Sequence, residues 1–217
     1  MKKFLWLFAV VVLSACAQDP YHLKIENTMA DAHGQSVYYR SSLRSNYAGQ
    51  IRRVLSNKMG EIGLKTATSA EIADYIGIFD IETFYAQNGE KFNPDAFKQT
   101  NENAYLFSDD ESSESMYFSG NANVVVDHDK TCFTLKIGPK GTSVVRYSSS
   151  FCADGVLDTE EMLPLVLDIY GKYANYQQAD VGVQCRTNEA GDVSCDAMYD
   201  RQKAFMNSWW MDKDIVD

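Results

Sequence analysis

Histidine is scarce in this chain, with three in 217 residues, and the metal and acid–base chemistry open to it is correspondingly narrow. His22 and His33 fall close to the N-terminus; His128 alone lies in the body of the sequence. No His-Glu-x-x-His, Cys-x-x-Cys or EF-hand spacing occurs, so the zinc and calcium patterns that can be read from sequence are missing. Glycine loops that cradle phosphate are missing too, both Gly-x-Gly-x-x-Gly and the Walker loop, and so is the Gly-x-Ser-x-Gly elbow of a serine nucleophile. Positive charge is in deficit: 20 basic residues face 30 acidic ones, a formal net charge of -10. Such a surface repels nucleic acid and anionic headgroups. Long apolar runs are absent as well, since the run Phe4 to Leu13 has ten residues and a spanning helix needs about 20. The sequence therefore calls for no cofactor, no metal and no nucleic-acid partner.

What is present begins at the N-terminus. Lys2 and Lys3 precede the apolar run, and Leu13-Ser14-Ala15-Cys16 closes it with small residues before a cysteine. This is the layout of a cleaved secretion signal. Leu13 to Cys16 resembles the lipobox of bacterial lipoproteins, which implies cleavage before Cys16, lipid on its sulfur and acylation of the new amino terminus. In Gram-negative lipoproteins an aspartate after the cysteine retains the protein at the inner membrane. Ala17 stands there instead, so the implied address is the outer membrane, on its periplasmic or surface face. Loss of residues 1 to 15 removes Lys2 and Lys3, leaves 18 basic against 30 acidic residues, and moves the net charge from -10 to -12.

Beyond Cys16 remain Cys132, Cys152, Cys185 and Cys195. An even number in an exported chain suggests two disulfides, with three connectivities open. The local pairing is favoured. Folding the chain about Ala190, within the turn-rich Asn188-Glu-Ala-Gly191, sets Cys185 opposite Cys195 in a hairpin. For Cys132 and Cys152, a tight turn at Gly138 to Gly141 would place Cys132 opposite Tyr147; a longer loop, about 138 to 146, brings the two cysteines level.

A hydrophobic content of 45% and length of 217 residues suit one globular domain. Residues 16 to 35 are mostly polar without sustained period and read as a tether. From 36 onward a single domain is expected, with a hairpin and helix extension from about 177. Ser36 to Ser42 reads as a short strand. Ser45 or Asn46 is the expected cap of a helix carrying Tyr47, Ile51, Val54, Leu55 and Met59 on one face, ended by Gly60. Ile72 to Tyr85 is the best strand, with Phe79, Ile81, Thr83 and Tyr85 on one face and Asp80 and Glu82 on the other. Residues 87 to 115, which include the acidic run Asp109 to Glu114, form a long excursion. Ser115 to Val126, Thr131 to Ile137 and Ser143 to about Phe151 are strand candidates in an antiparallel meander. Asp158 with Glu161 opens a second helix, in which Pro164 is expected to kink the first turns. A last helix is expected over about 196 to 212. Together these give an α+β fold in two layers, a mainly antiparallel sheet with helices on one face, held by disulfides.

This order of elements behind a lipobox resembles the small uncharacterised envelope lipoproteins of proteobacteria grouped as domains of unknown function. In those an early amphipathic helix leads to a strand beginning with Ala-Asp, as in Ala73-Asp74-Tyr75, and a late hairpin precedes a closing helix. The resemblance covers roughly residues 36 to 176. It implies location and architecture and transfers no catalytic residue. The four later cysteines and residues 177 to 217 depart from it.

Candidate chemistry is sparse. Asp127-His128-Asp129 offers oxygen and nitrogen ligands, but three consecutive residues of an extended chain cannot all face one ion, and aspartates are common at hairpin turns. Ser148-Ser149-Ser150 reads as the solvated face of a strand. Trp209 and Trp210, in Phe205-Met-Asn-Ser-Trp-Trp-Met211, crowd more apolar surface than one helix face buries, because adjacent helical residues point about 100° apart. They are the candidate binding residues. The sequence thus points to a lipid-anchored structural or protein-binding accessory with no catalysis expected and an envelope protein as partner. The alternative is a periplasmic hydrolase or metal-dependent enzyme using Asp127, His128 and Asp129.

Overall fold

The computed structural model describes residues 21–29, 31–85, 107 and 128–198. Among these residues eight strands form one mixed sheet: β1 (Tyr21–Asn27), β2 (Ser36–Arg40), β3 (Lys65–Thr66), β4 (Tyr75–Phe84), β5 (Lys130–Pro139), β6 (Tyr147–Asp154), β7 (Gln178–Thr187) and β8 (Val193–Ala197). Their spatial order is β3-β2-β4-β5-β6-β1-β7-β8. Among the described residues two helices, α1 (Ser45–Gly60) and α2 (Thr159–Tyr173), pack on one face, so the two-layer α+β expectation holds. β2 runs parallel to β3 and β4, with α1 in the crossover; the remaining pairings are antiparallel. β5 and β6 pair as two strands of the expected meander, β4 lies on the other side of β5, and the Ser115 to Val126 candidate lies outside the described residues.

The helix-facing side of the sheet follows from period-two alternation. Leu23 and Ile25, Val37 and Tyr39, Tyr75 and Phe79, Phe133 and Leu135, and Phe151 all point into the main core. α1 contributes Ile51, Leu55 and Met59; α2 contributes Met162, Val166, Ile169 and Tyr170. Their 3- and 4-residue spacing puts each set on one stripe. Across Gly77 the strands leave room for a ring: a Cβ there would lie 2.5 Å from Tyr39 Cδ1. On the opposite side a smaller apolar cluster gathers Ala67, Ala70, Ala73, Ile76, Ile78 and Phe107.

Several expectations need correction. Tyr21–Asn27 is no tether: it lies in the sheet between β6 and β7, with Leu23 and Ile25 fully buried. Its seven residues alternate inward Tyr21, Leu23 and Ile25 with outward His22, Lys24 and Glu26, a pattern too brief to stand out from its polar flanks. α1 is capped neither by Ser45 nor by Asn46. It starts at Ser45 behind Arg44, which makes no side-chain capping bond. The turn before it is instead closed by Leu43 N–H donating to Ser41 Oγ at 3.1 Å. β6 begins at Tyr147 rather than Ser143, because residues 140–146 form the longer loop that the cysteine register demanded.

α2 opens as its sequence suggests. Asp158 accepts from Glu160 N–H at 2.8 Å and Glu161 N–H at 2.9 Å, and the Glu161 carboxylate accepts from Asp158 N–H at 3.0 Å. This capping box satisfies donors that the first turn otherwise leaves open. The helix continues through Pro164 as one element, without the bond to the Glu160 carbonyl that proline cannot donate.

Both disulfides take the local pairing, Cys132–Cys152 and Cys185–Cys195. Each joins residues directly opposite in an antiparallel pair, with Cα separations of 4.1 and 4.0 Å. Close Cα approach is typical of pairs whose N–H and C=O groups point away from each other. At β8 those outward groups of Cys195 meet α2: its N–H donates to Asp168 Oδ2 at 2.6 Å, and its carbonyl accepts from Lys172 Nζ at 2.8 Å. Ala197 N–H donates to Tyr173 Oη at 3.2 Å.

Candidate functional site

On the face of the sheet away from the helices, strand register gathers ionisable side chains that sequence patterning had left as an ordinary polar face. β4 supplies Asp80 and Glu82, opposite Thr134 and Cys132 of β5; β5 supplies Lys136, opposite Ile78, whose other neighbour is Arg40 of β2. Arg40, Asp80 and Thr134 are buried, and Glu82 and Lys136 are half-buried. Burial raises the charge cost of each carboxyl and ammonium.

The two carboxyls are handled differently. Asp80 is pushed up by burial, but Ser42 Oγ donates to its Oδ2 and Ile81 N–H to its Oδ1 at 2.9 Å, which favours the charged form. Glu82 is pushed up to about 7, first by burial and then by the Asp80 carboxylate beside it, against the pull of Lys136. Lys136 is brought down to about 8 by burial, which Glu82 partly offsets. A carboxyl and an ammonium that both titrate near neutrality are able to hold or exchange a proton at physiological pH. The Cys132–Cys152 disulfide lies on the same face, with Cys132 in register with Glu82.

The residues expected from sequence fall elsewhere. His128 sits at the end of β5, where its Nε2 lies 2.8 Å from Asp154 Oδ1 and Lys130 Nζ approaches the same oxygen at 3.8 Å. Among the described residues no group of three or more His, Cys, Asp or Glu side chains could hold a metal ion. Asp127 lies outside the described residues, and so do Cys16, Trp209 and Trp210. Ser148 and Ser150 are half-buried on the helix-free face, but Ser149 is not on a solvated face as expected. It points into the core, 2.8 Å from the Tyr170 hydroxyl, because the alternation that turns its neighbours outward turns it inward.

No protein-family model matches this chain, and no curated protein matches it. Solved structures align with it at low TM-score. A PelC dodecamer from Paraburkholderia phytofirmans aligns with a TM-score of 0.38 and 9% identity, over 73% of this chain and 98% of that one. A DUF4136 family protein from Bacteroides thetaiotaomicron aligns with a TM-score of 0.36 and 12% identity, over 71% and 94% of the two chains. A PDZ domain protein from Parabacteroides distasonis aligns with a TM-score of 0.36 and 13% identity, over 76% of this chain and 39% of that one.

Exposed apolar side chains cluster at the two ends of the sheet. Ile72, Val144 and Val145 lie at one end, in loops tied together by Lys140 Nζ, which donates to the Glu71 carbonyl at 2.6 Å. Tyr85, just past β4, and Val156, just past β6, lie at the other. Sequence reasoning missed Arg40, Glu82 and Lys136 as a group, because only the register of three strands brings them to one face.

Proposed function

We propose that this chain is a lipid-anchored envelope protein acting as a structural or protein-binding accessory at the outer membrane. The observation that supports it most is the fate of the cysteines. Of five in the sequence, four are consumed in two disulfides, and Cys16 is the one left over. Structural disulfides belong to oxidising compartments, and a leftover cysteine behind a signal-like segment suits a thioether to lipid. Ala17 supports the outer membrane as the address. Trp209 and Trp210 are the proposed contact region with an envelope protein partner, on their sequence crowding.

Cys16→Ala tests the anchor. The variant is expected to stay unprocessed, to lack the mass of attached acyl chains, and to leave the outer-membrane fraction. Normal cleavage with unchanged membrane retention would overturn the reading. Crosslinking in intact cells with Trp209→Ala and Trp210→Ala tests the contact: a crosslinked neighbour should be lost while thermal unfolding stays close to that of the parent protein, whereas strong destabilisation by both changes would assign them to the core.

A further inference from the structure

We infer that the β7–β8 hairpin is a stand-off that rests on the lipid headgroup layer and fixes how the domain sits above the membrane. The inference builds on the lipid anchor at Cys16 proposed above.

One register row crosses the sheet through Thr83, Thr131, Ala153, Tyr21, Val183 and Ala197. Among the described residues, past that row in the direction from which the chain enters β1, β4 runs on by one residue to Phe84, β5 by one to Lys130 and β6 by one to Asp154. β7 runs on by four, to Thr187, before the turn to β8 at Val193. At about 3.4 Å per residue the hairpin strands project roughly 14 Å beyond the row, and the turn adds to this. Cys16 precedes Tyr21 by five residues, so whatever path they take it lies within about 18 Å of Tyr21, at no more than about 3.6 Å per residue. The hairpin therefore reaches about as far toward the membrane as the anchor can.

The projecting part is built to be stiff. Tyr21, the first described residue of β1, is opposite Val183, and the β7–β8 ladder runs from Val183 to Thr187. Cys185–Cys195 crosslinks the hairpin midway and α2 grips it through Asp168, Lys172 and Tyr173. The tip closes on itself. Asn188 Oδ1 accepts from Ala190 N–H at 3.0 Å and Asp192 N–H at 2.8 Å, while Asn188 N–H donates to the Asp192 carbonyl at 3.0 Å. Arg186, Glu189 and Asp192 are exposed there and Ala190 is the sole apolar side chain of the turn, so the tip suits the ammonium ends of zwitterionic headgroups and does not insert among acyl chains.

The test uses the full-length protein purified from membranes, with acylation of Cys16 verified by mass. A fluorescent amino acid is introduced by codon suppression at Ala190 or, at the opposite end of the sheet, at Val144. The protein is placed in phosphatidylethanolamine–phosphatidylglycerol vesicles carrying a nitroxide headgroup quencher. Quenching at position 190 should be several-fold stronger than at 144. A Gly/Ser insert of about 20 residues between Ala17 and Tyr21, adding roughly 25 Å of mean span, should bring the two values together. Equal or reversed quenching in the acylated protein without the insert would overturn the stand-off and leave the anchor standing. Absence of acyl mass on Cys16 would overturn both.

Discussion

Glu82 and Lys136 pull the stability of the fold in opposite directions as pH changes. Glu82 is raised from an ordinary 4.5 to about 7, so between those values the folded chain holds a proton that the unfolded chain has released. Stability falls as pH rises through that window. Lys136 is lowered from 10.5 to about 8; between about 8 and 10.5 the unfolded chain holds the extra proton, and stability rises with pH. Urea midpoints across a pH series should show both limbs. Glu82→Gln should flatten the lower one and Lys136→Met the upper one; a limb that persists in its own variant would remove that residue as the cause. Gly77→Ala makes a different kind of demand. Its methyl would press on the Tyr39 ring inside a packed core, where overpacking typically costs about 1 to 3 kcal/mol, and the midpoint should drop accordingly at every pH. Asp80 and Glu82 were legible in the sequence as the polar face of a strand. Their gathering on one face with Lys136 and Arg40 was not, because cross-strand neighbours depend on register between segments about 40 to 60 residues apart in sequence.

Elements were most legible where local chemistry alone determines them. Asp158 and Glu161 mark a helix start because their side chains answer backbone donors three residues away, and Asp158→Ala should cost about 1 kcal/mol, read as a lower melting temperature without loss of fold. The hairpin cysteines are legible for the same reason: a turn at Asn188 to Gly191 forces Cys185 and Cys195 level. Replacing both with serine should cost about 2 to 4 kcal/mol. If that double change leaves thermal unfolding untouched, α2 and not the crosslink holds the hairpin. β1 escaped notice for the opposite reason. Its alternation is stabilised by β6 and β7, which lie more than 100 residues away in sequence, and nothing local distinguishes it from a polar linker.

For the whole molecule, the place of β1 decides where the chain can be cut. A tether is dispensable to folding; a strand between β6 and β7 is not. Leu23 and Ile25 are fully buried, and burial of such side chains contributes about 1.5 to 3 kcal/mol each, against roughly 5 to 15 kcal/mol for a whole domain. A chain beginning at Ser36 should therefore lack cooperative unfolding, while one beginning at Tyr21 should unfold as sharply as the parent. The two-layer plan was legible from element order, but the sheet order was not, since β1 inserts between β6 and β7, far along the chain. The grip of α2 on β8 has a further consequence at this scale. An open strand edge invites copy after copy to add on by main-chain pairing. In β8 the outward N–H and C=O of Cys195 are already held by an Asp168 carboxylate and a Lys172 ammonium, hydrogen bonds that an incoming neutral backbone would have to displace. The contacts that stiffen one protomer thereby also disfavour fibre growth along this edge.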